Sequence, residues 1–365
     1  MPEIEANRFW VETDGNLRVC ATVDLRLCYQ TGEAGMVEGG NLWIFYDIRQ
    51  YLERDQTFLS EGGVTVSGPA GVTWEGVPLV GGKVVRTFDI HPQAPEFLHA
   101  VHIICTGGKV GPDETITIWL KTDREGFRLP QNAIDAFRFW LVEDPHGELT
   151  FHHPGGKYHF FLPRTLDPSF MVSNPLCIAP GPPTDLRVTC PSISTGYVEP
   201  NLTLLDTYGN PLPHPNGPVH FRTRAGQTSD RPVRLKAPHD AVTVTCNGLE
   251  TRSNSVRILD SMPKCTLYWG DIHGMQFNQR PLRDYFAWAK EIAHLDFSGG
   301  QLFSYSACIE EVWHQLLDAW REFTQPEDFI SLPSIEFGTP PDGSHRLGFF
   351  PDTENLTPVF CEDRP

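Results

Sequence analysis

Apolar and polar residues alternate with a period of two through much of the first half of the chain. From Leu17 to Leu27 every odd position is apolar, while charged or hydroxyl side chains occupy most even positions. Such alternation is typical of a half-buried antiparallel strand. Similar short runs recur up to about residue 162, separated by Gly, Pro and Asp. They predict a β-sandwich over residues 1–174.

A second strand-rich region follows a stiff connector. Residues 175–185 contain four prolines, which favour an extended linker between domains. Beyond it, short apolar runs alternate with turn signals such as Asn216-Gly217. The pattern predicts a small immunoglobulin-like β-sandwich over residues 186–262.

The pattern changes near residue 263, where apolar positions recur at spacings of three and four. Two such stretches run from Leu282 to His294 and from Ile309 to Trp320, which predicts two amphipathic helices. Apolar runs at 266–272, 296–303 and 329–337 predict strands around them. A βαβαβ order implies right-handed crossovers and a parallel sheet or barrel over residues 263–365.

Composition limits the class of partner and the cellular setting. The 365 residues suggest two or three domains, and the formal charge of −17 argues against nucleic-acid or anionic-membrane partners. A small-molecule substrate remains open, and nothing in the sequence indicates an oligomeric state. Nine scattered cysteines without a CxxC pair favour reduced thiols, and the N-terminus lacks a visible secretory signal. We therefore expect a cytoplasmic protein.

Histidine and carboxylate side chains fall near the predicted strand ends of the third region. His273 follows the first strand, Glu336 lies near the end of the third, and His345 lies in the predicted loop Asp342–His345. Imidazole and carboxylate suit Zn, Mn or Fe, and such an ion lowers the pKa of a bound water. Asp271, two residues before His273, is a candidate ligand or catalytic residue that orients the imidazole. The alternative is that both histidines cap turns and Glu336 solvates a loop.

Several segments resemble an uncharacterised family of the PHP (polymerase and histidinol phosphatase) superfamily. The segments are "SNSVRILDSMPKCTLYWGDIHG", "DYFAWAKEIAHLDF", "FISLPSIEFGT" and "DGSHRLGFF". The resemblance implies a multidomain β plus α/β fold, with two N-terminal β-sandwiches before the first part of a (β/α) PHP-type barrel. It also implies metal-dependent hydrolysis of phosphoesters, with His273, Glu336 and His345 as metal ligands.

The chain departs from that family pattern in two motifs. Met275 stands where the family has the second His of His-x-His, and Gln301-Leu302-Phe303 stands where it has Thr-Asp-His. The sequence also ends after about three of seven expected strands, which predicts a longer reading frame. Two functions follow as expectations: a hydrolase with a reduced metal site, or an inactive scaffold whose β-sandwiches bind a partner or glycan.

Overall fold

The computed structural model describes most of the chain as two compact units. The described residues are 8–47, 59, 63–79, 98–121, 126–148, 171–212, 217–224, 226, 228–229, 234–265, 267–275, 282–303, 310–325, 328–339, 344–351 and 353. One unit comprises residues 1–91 and 95–181, and the other comprises residues 92–94 and 182–365.

The first unit is built from antiparallel strands around one core. Within its described part the strands β1 to β12 are Phe9–Asp14, Thr22–Gln30, Asn41–Asp47, Val64–Ser67, Thr73–Leu79, Leu98–Gly107, Thr115–Leu120, Phe127–Arg128, Ile134–Phe137, Phe139–Asp144, Met171–Val172 and Leu176–Ile178. One sheet has the order β1-β2-β7-β4, with β8 beside β2, and the other has the order β11-β10-β3-β6-β5. Strands β9 and β12 form a separate pair.

The core of this unit follows from the alternation of the strands. Leu25 and Leu27 on β2 are buried, as are Leu42 and Ile44 on β3, so the apolar faces of both sheets contribute to a single cluster. Successive side chains of a strand point to opposite faces, which places alternate residues on the core side. The observed strand starts later than the alternating pattern does. The pattern begins at Leu17, whereas β2 begins at Thr22 and Leu17 lies outside the strands.

The second unit begins with nine short strands in its described residues. These strands, β13 to β21, are Asp185–Thr189, Ile193–Ser194, Asn201–Leu205, Val219–Thr223, Thr228–Ser229, His239–Asp240, Val242–Cys246, Leu249–Arg252 and Val256–Ile258. They form the sheets β13-β15, β14-β21-β18 and β17-β16-β19-β20. Val188, Phe221, Val244 and Val256 belong to the buried cluster between these strands.

A mixed sheet with two helices completes the second unit. Its elements in chain order are β22 (Gly270–Met275), α1 (Leu282–Glu291), β23 (Phe297–Phe303), α2 (Glu310–Phe323), β24 (Ile330–Ser331), β25 (Ser334–Thr339) and β26 (Ser344–Phe349). The strand order is β22-β23-β25-β26, with β24 beside β23. Strands β22, β24 and β25 pair in parallel with β23, whereas β26 pairs antiparallel with β25.

Both helices pack their apolar stripes on this sheet. Phe286 of α1 and Trp320 of α2 are fully buried, and Phe286 lies 6.3 Å from Phe329 between ring centroids. Burial of large aromatic side chains is the main stabilising contribution to such a layer. In the part of the chain that the structure describes, no helix is long and apolar enough to cross a membrane.

The expected PHP-type barrel is wrong. The described residues contain two helices against twenty-six strands, so the chain is predominantly β. The last parallel strand, β25, is followed by the antiparallel strand β26 after only the four residues 340–343. A crossover to another parallel strand needs a dozen or more residues, so this connection cannot continue a (β/α) barrel.

Candidate functional site

Three parallel strands bring the predicted site residues to one region of the mixed sheet. His273 lies on β22 and Glu336 lies on β25, with β23 between their strands. A Cβ atom at Gly299 of β23 would lie 3.3 Å from Ser334 Oγ, which places position 299 on the Ser334 and Glu336 face. Because Gly299 carries no side chain, the residues of the outer strands can approach each other across β23.

His273 and Glu336 meet directly. The His273 Nε2 atom lies 3.3 Å from Glu336 Oε2. The Glu336 side chain is 2% exposed, whereas the His273 side chain is 50% exposed. A buried carboxylate beside a half-exposed imidazole orients the ring, and the exposed part of the ring remains open to a solute. This arrangement is common both for metal-ligating and for proton-transferring histidines.

Asp271 holds the backbone of His273, not its ring. Its Oδ1 accepts a hydrogen bond from the His273 amide at 2.9 Å, and its Oδ2 accepts one from the Tyr285 hydroxyl at 3.3 Å. The pairing of β22 with β23 is irregular between Asp271 and Gly274. The simple expectation that Asp271 and His273 share one face of a regular strand therefore does not describe this segment.

Tyr285 connects helix α1 to both neighbouring strands. Its hydroxyl lies 2.7 Å from Ser298 Oγ of β23, in addition to its bond to Asp271. Burial raises the pKa of Tyr285 to about 12, and the Asp271 carboxylate adds to this effect, while the Ser298 hydrogen bond opposes it. The phenol therefore keeps its proton at neutral pH. It donates that proton to Asp271 and accepts a hydrogen bond from Ser298.

Glycine at position 274 makes room for the Tyr285 ring. A Cβ atom on Gly274 would overlap the Tyr285 hydroxyl, and a Cβ atom on Gly300 would lie 2.8 Å from Tyr285 Cδ1. Both glycines thus permit α1 to approach β22 and β23 closely. The spacing of the site depends on this close approach.

His345 is placed by its backbone alone. It lies in strand β26 and not in a loop, because residues 344–349 pair antiparallel with β25. Its register partner is Gly338, two residues after Glu336. The side chains of His345 and Met275 lie outside the described residues. Among the side chains that are described, no three of His, Cys, Asp or Glu form a group able to hold a metal ion.

The sequence patterns missed Tyr285 and Ser298 as members of this site. Tyr285 lies on the apolar stripe of α1, where an aromatic residue is expected to be core. The sequence feature that could have indicated this site is the segment Ser298-Gly299-Gly300, in a strand followed by a helix. Small and hydroxyl residues there allow a phenol to approach and give its oxygen a partner.

Comparison with known proteins gives no family for this chain. No family model matches it, and no curated protein matches it. One similar solved structure is the N-terminal part of the bacterial S-layer protein SbsC, with 8% identity, a TM-score of 0.18, and coverage of 68% of this chain and 43% of that one. The chain thus spans less than half of that structure.

A second similar structure is the C-terminal domain of the Streptococcus pyogenes antigen I/II-family protein AspA. It has 9% identity and a TM-score of 0.25, covering 69% of this chain and 99% of that one. At these TM-scores neither match supports a shared fold or function. The PHP resemblance is wrong as well, because the described chain is strand-dominated and its mixed sheet ends in an antiparallel strand.

Proposed function

We propose that this chain hydrolyses a small anionic ester, of the phosphoester type, with a divalent cation held by His273 and Glu336. The single observation that carries the proposal is the 3.3 Å approach of His273 Nε2 to Glu336 Oε2. This geometry supports the cation, whereas the phosphoester class of the substrate is an expectation from the sequence analysis that the proposed experiment tests.

The charges of the site explain why a cation is part of the proposal. Glu336 and Asp271 bring two carboxyl groups to the neighbourhood of His273. An anionic ester is repelled by carboxylates unless a cation lies between them. Imidazole and carboxylate oxygen fit Zn, Mn or Fe, which lower the pKa of a bound water and supply hydroxide near neutral pH.

The residues have separate roles in this proposal. His273 and Glu336 bind the cation, and Asp271 fixes the main chain that carries the imidazole. His345 remains a proposed further ligand, on the basis of its register position beside Gly338. Two or three protein ligands leave coordination positions for water and substrate, which a hydrolytic site requires.

The setting of the proposed reaction is the cytoplasm. The cysteines of the described residues are free thiols, and Cys28, Cys105, Cys190 and Cys246 are buried. Buried reduced cysteines are typical of proteins in a reducing compartment.

The proposal is tested by metal content and turnover of the same preparations. The purified protein is equilibrated with Zn²⁺ or Mn²⁺, dialysed, and analysed for bound metal and for hydrolysis of bis-p-nitrophenyl phosphate. We expect bound metal and turnover in the wild type, and loss of both in His273→Ala and Glu336→Gln. His239→Ala and Glu250→Gln, both at exposed strand positions, serve as matched controls.

The outcomes separate the two expected functions. A wild type that retains no metal and whose turnover is unchanged in His273→Ala contradicts the proposal. The inactive scaffold whose β-sandwiches bind a partner or glycan would then be the better account.

A further inference from the structure

Tyr285 is the only described side chain that links helix α1 to the β22 segment by a hydrogen bond to Asp271. Removing its hydroxyl would leave the ring in place and delete this single bond and the bond to Ser298. Such a small chemical change can separate positioning of the site from folding of the sheet.

We infer that Tyr285 is a positioning residue, which holds Asp271 and thereby sets the direction of His273 toward Glu336. The inference deepens the proposed function and rests on it for the role of the cation. The effect of Tyr285 on the orientation of the His273 ring can be measured in the metal-free protein.

An unbroken series of hydrogen bonds runs from Ser298 through Tyr285 to the Asp271 carboxylate. Ser298 Oγ lies 2.7 Å from the Tyr285 hydroxyl, which lies 3.3 Å from Asp271 Oδ2. The other oxygen of Asp271 accepts the His273 amide at 2.9 Å. The two oxygens of one carboxylate therefore connect the helix to the main chain of the residue that carries the imidazole.

The strand segment that carries His273 is irregular. Between Asp271 and Gly274 the pairing of β22 with β23 shifts register, and the His273 amide donates to the Asp271 side chain. Bulged segments re-aim a side chain and require other contacts to fix their conformation. Asp271 and Tyr285 supply such contacts from the helix side.

The Tyr285 ring fits closely against the glycines of β22 and β23. The space that a Cβ at Gly274 would need is filled by the Tyr285 hydroxyl, and Ser298 is fully buried beneath it. Two aromatic rings of the same helix lie beside Tyr285, Phe286 at 5.7 Å and Trp288 at 6.4 Å between centroids. Packing thus fixes the phenol ring, and its oxygen lies between Asp271 and Ser298.

The test compares Tyr285→Phe with the matched control Tyr268→Phe, a tyrosine that is 61% exposed. The probe is Co²⁺ alone, titrated into the full chain and followed by its visible absorption. We expect Tyr285→Phe to weaken Co²⁺ binding about tenfold and to change the absorption band, as loss of an outer-shell partner does. Tyr268→Phe should match the wild type in both respects.

A second measurement uses the metal-free protein. The ¹⁵N shifts of the His273 ring report its hydrogen bond to Glu336, and we expect Tyr285→Phe and Ser298→Ala both to move them. Wild-type ring shifts and wild-type Co²⁺ affinity in Tyr285→Phe would overturn the inference while leaving the proposed function intact. A wild type that binds no Co²⁺ would overturn the proposed function, and the ring shifts would still decide the positioning role.

Discussion

Two glutamates in different units show how differently a mostly buried carboxylate can be used. Glu143 of β10 is 19% exposed in its side chain and forms an ion pair with Arg8 at 2.7 Å. The Tyr29 hydroxyl also donates to Glu143. Glu336 of β25 is 2% exposed and faces an imidazole that is half exposed.

The difference lies in the partner. Glu143 is bonded to an arginine, whose guanidinium is always charged, and to a tyrosine hydroxyl. Burial and the neighbouring Glu143 also raise the pKa of Tyr29 far above its usual value. The partner of Glu336 is instead an imidazole, which is half exposed to solvent. The first arrangement contributes to the stability of its unit, and the second belongs to the site that we propose to bind a cation.

The largest expected effect is the difference in the free energy of unfolding between Glu143→Gln and Glu336→Gln. Glu143→Gln should lower the free energy of unfolding by about 1.5–3 kcal/mol, because charge-assisted bonds to Arg8 and Tyr29 are lost. Glu336→Gln should cost under about 1 kcal/mol, because glutamine keeps the shape of the side chain and the half-exposed His273 ring can bond to water instead. Urea unfolding followed by tryptophan fluorescence measures both. Equal losses in the two variants would contradict the proposed division between structural and functional carboxylates.

A second prediction concerns the space beside the candidate site. Gly274→Ala should destabilise the second unit by about 1–3 kcal/mol, because the new methyl group overlaps the Tyr285 hydroxyl. Adding Tyr285→Ala should remove this cost, so the double variant should be no less stable than Tyr285→Ala alone. Thermal unfolding of the three variants measures the coupling. Additive losses would show that Tyr285 does not fill the space above Gly274.

A third prediction uses a histidine whose partner is neutral. His102 Nε2 lies 2.8 Å from Asn41 Oδ1, and its ring stacks on Trp43 at 3.8 Å. Burial lowers the pKa of His102 from 6.5 to about 4, although the Asp144 carboxylate opposes this shift. As the pH falls, His102 is protonated in the unfolded chain before it is protonated in the folded chain. The free energy of unfolding should therefore decrease as the pH drops from about 6.5 to about 4.

The magnitude is moderate because His102 is only partly buried. We expect this residue to account for about 1–2 kcal/mol of the loss, discounted for solvent screening. Urea unfolding at pH 7, 5.5 and 4 measures the slope, and His102→Gln should flatten it. A variant with the wild-type slope would show that other groups cause the acid sensitivity.

The smallest expected effect belongs to an exposed ion pair. Arg283 of α1 donates from both Nε and Nη2 to Glu322 of α2, at distances from 2.7 to 3.1 Å, and both side chains are largely exposed. Solvent and salt screen such pairs. Arg283→Ala should therefore leave the urea midpoint close to that of the wild type. A loss of unfolding free energy as large as that of Glu143→Gln would show that this surface pair contributes substantially to the packing of α1 against α2.

Local patterns predicted the helices better than the sheet around them. The spacing of apolar residues placed α1 from residue 282 to 294, and the structure ends it at Glu291. The strand expected at 329–337 is divided at Leu332 and Pro333 into β24 and β25. Proline has no amide proton for a ladder, which explains the interruption. The loop expected at His345 is part of a strand, because its pairing depends on β25 and not on its own composition.

The sequence by itself determined which segments alternate with period two and which with a helical period, because both periods arise from the geometry of neighbouring residues. It also predicted His273 and Glu336 at strand ends, whereas the structure places both residues within strands, His273 in β22 and Glu336 in β25. Only the tertiary structure decided that these two residues, 63 positions apart, lie within 3.3 Å of each other, and that Tyr285 holds Asp271. It also decided that β26 turns back beside β25, where a barrel was expected. Contacts and strand direction of this kind depend on chain connections and hydrogen-bond partners distant in sequence, which no local period records.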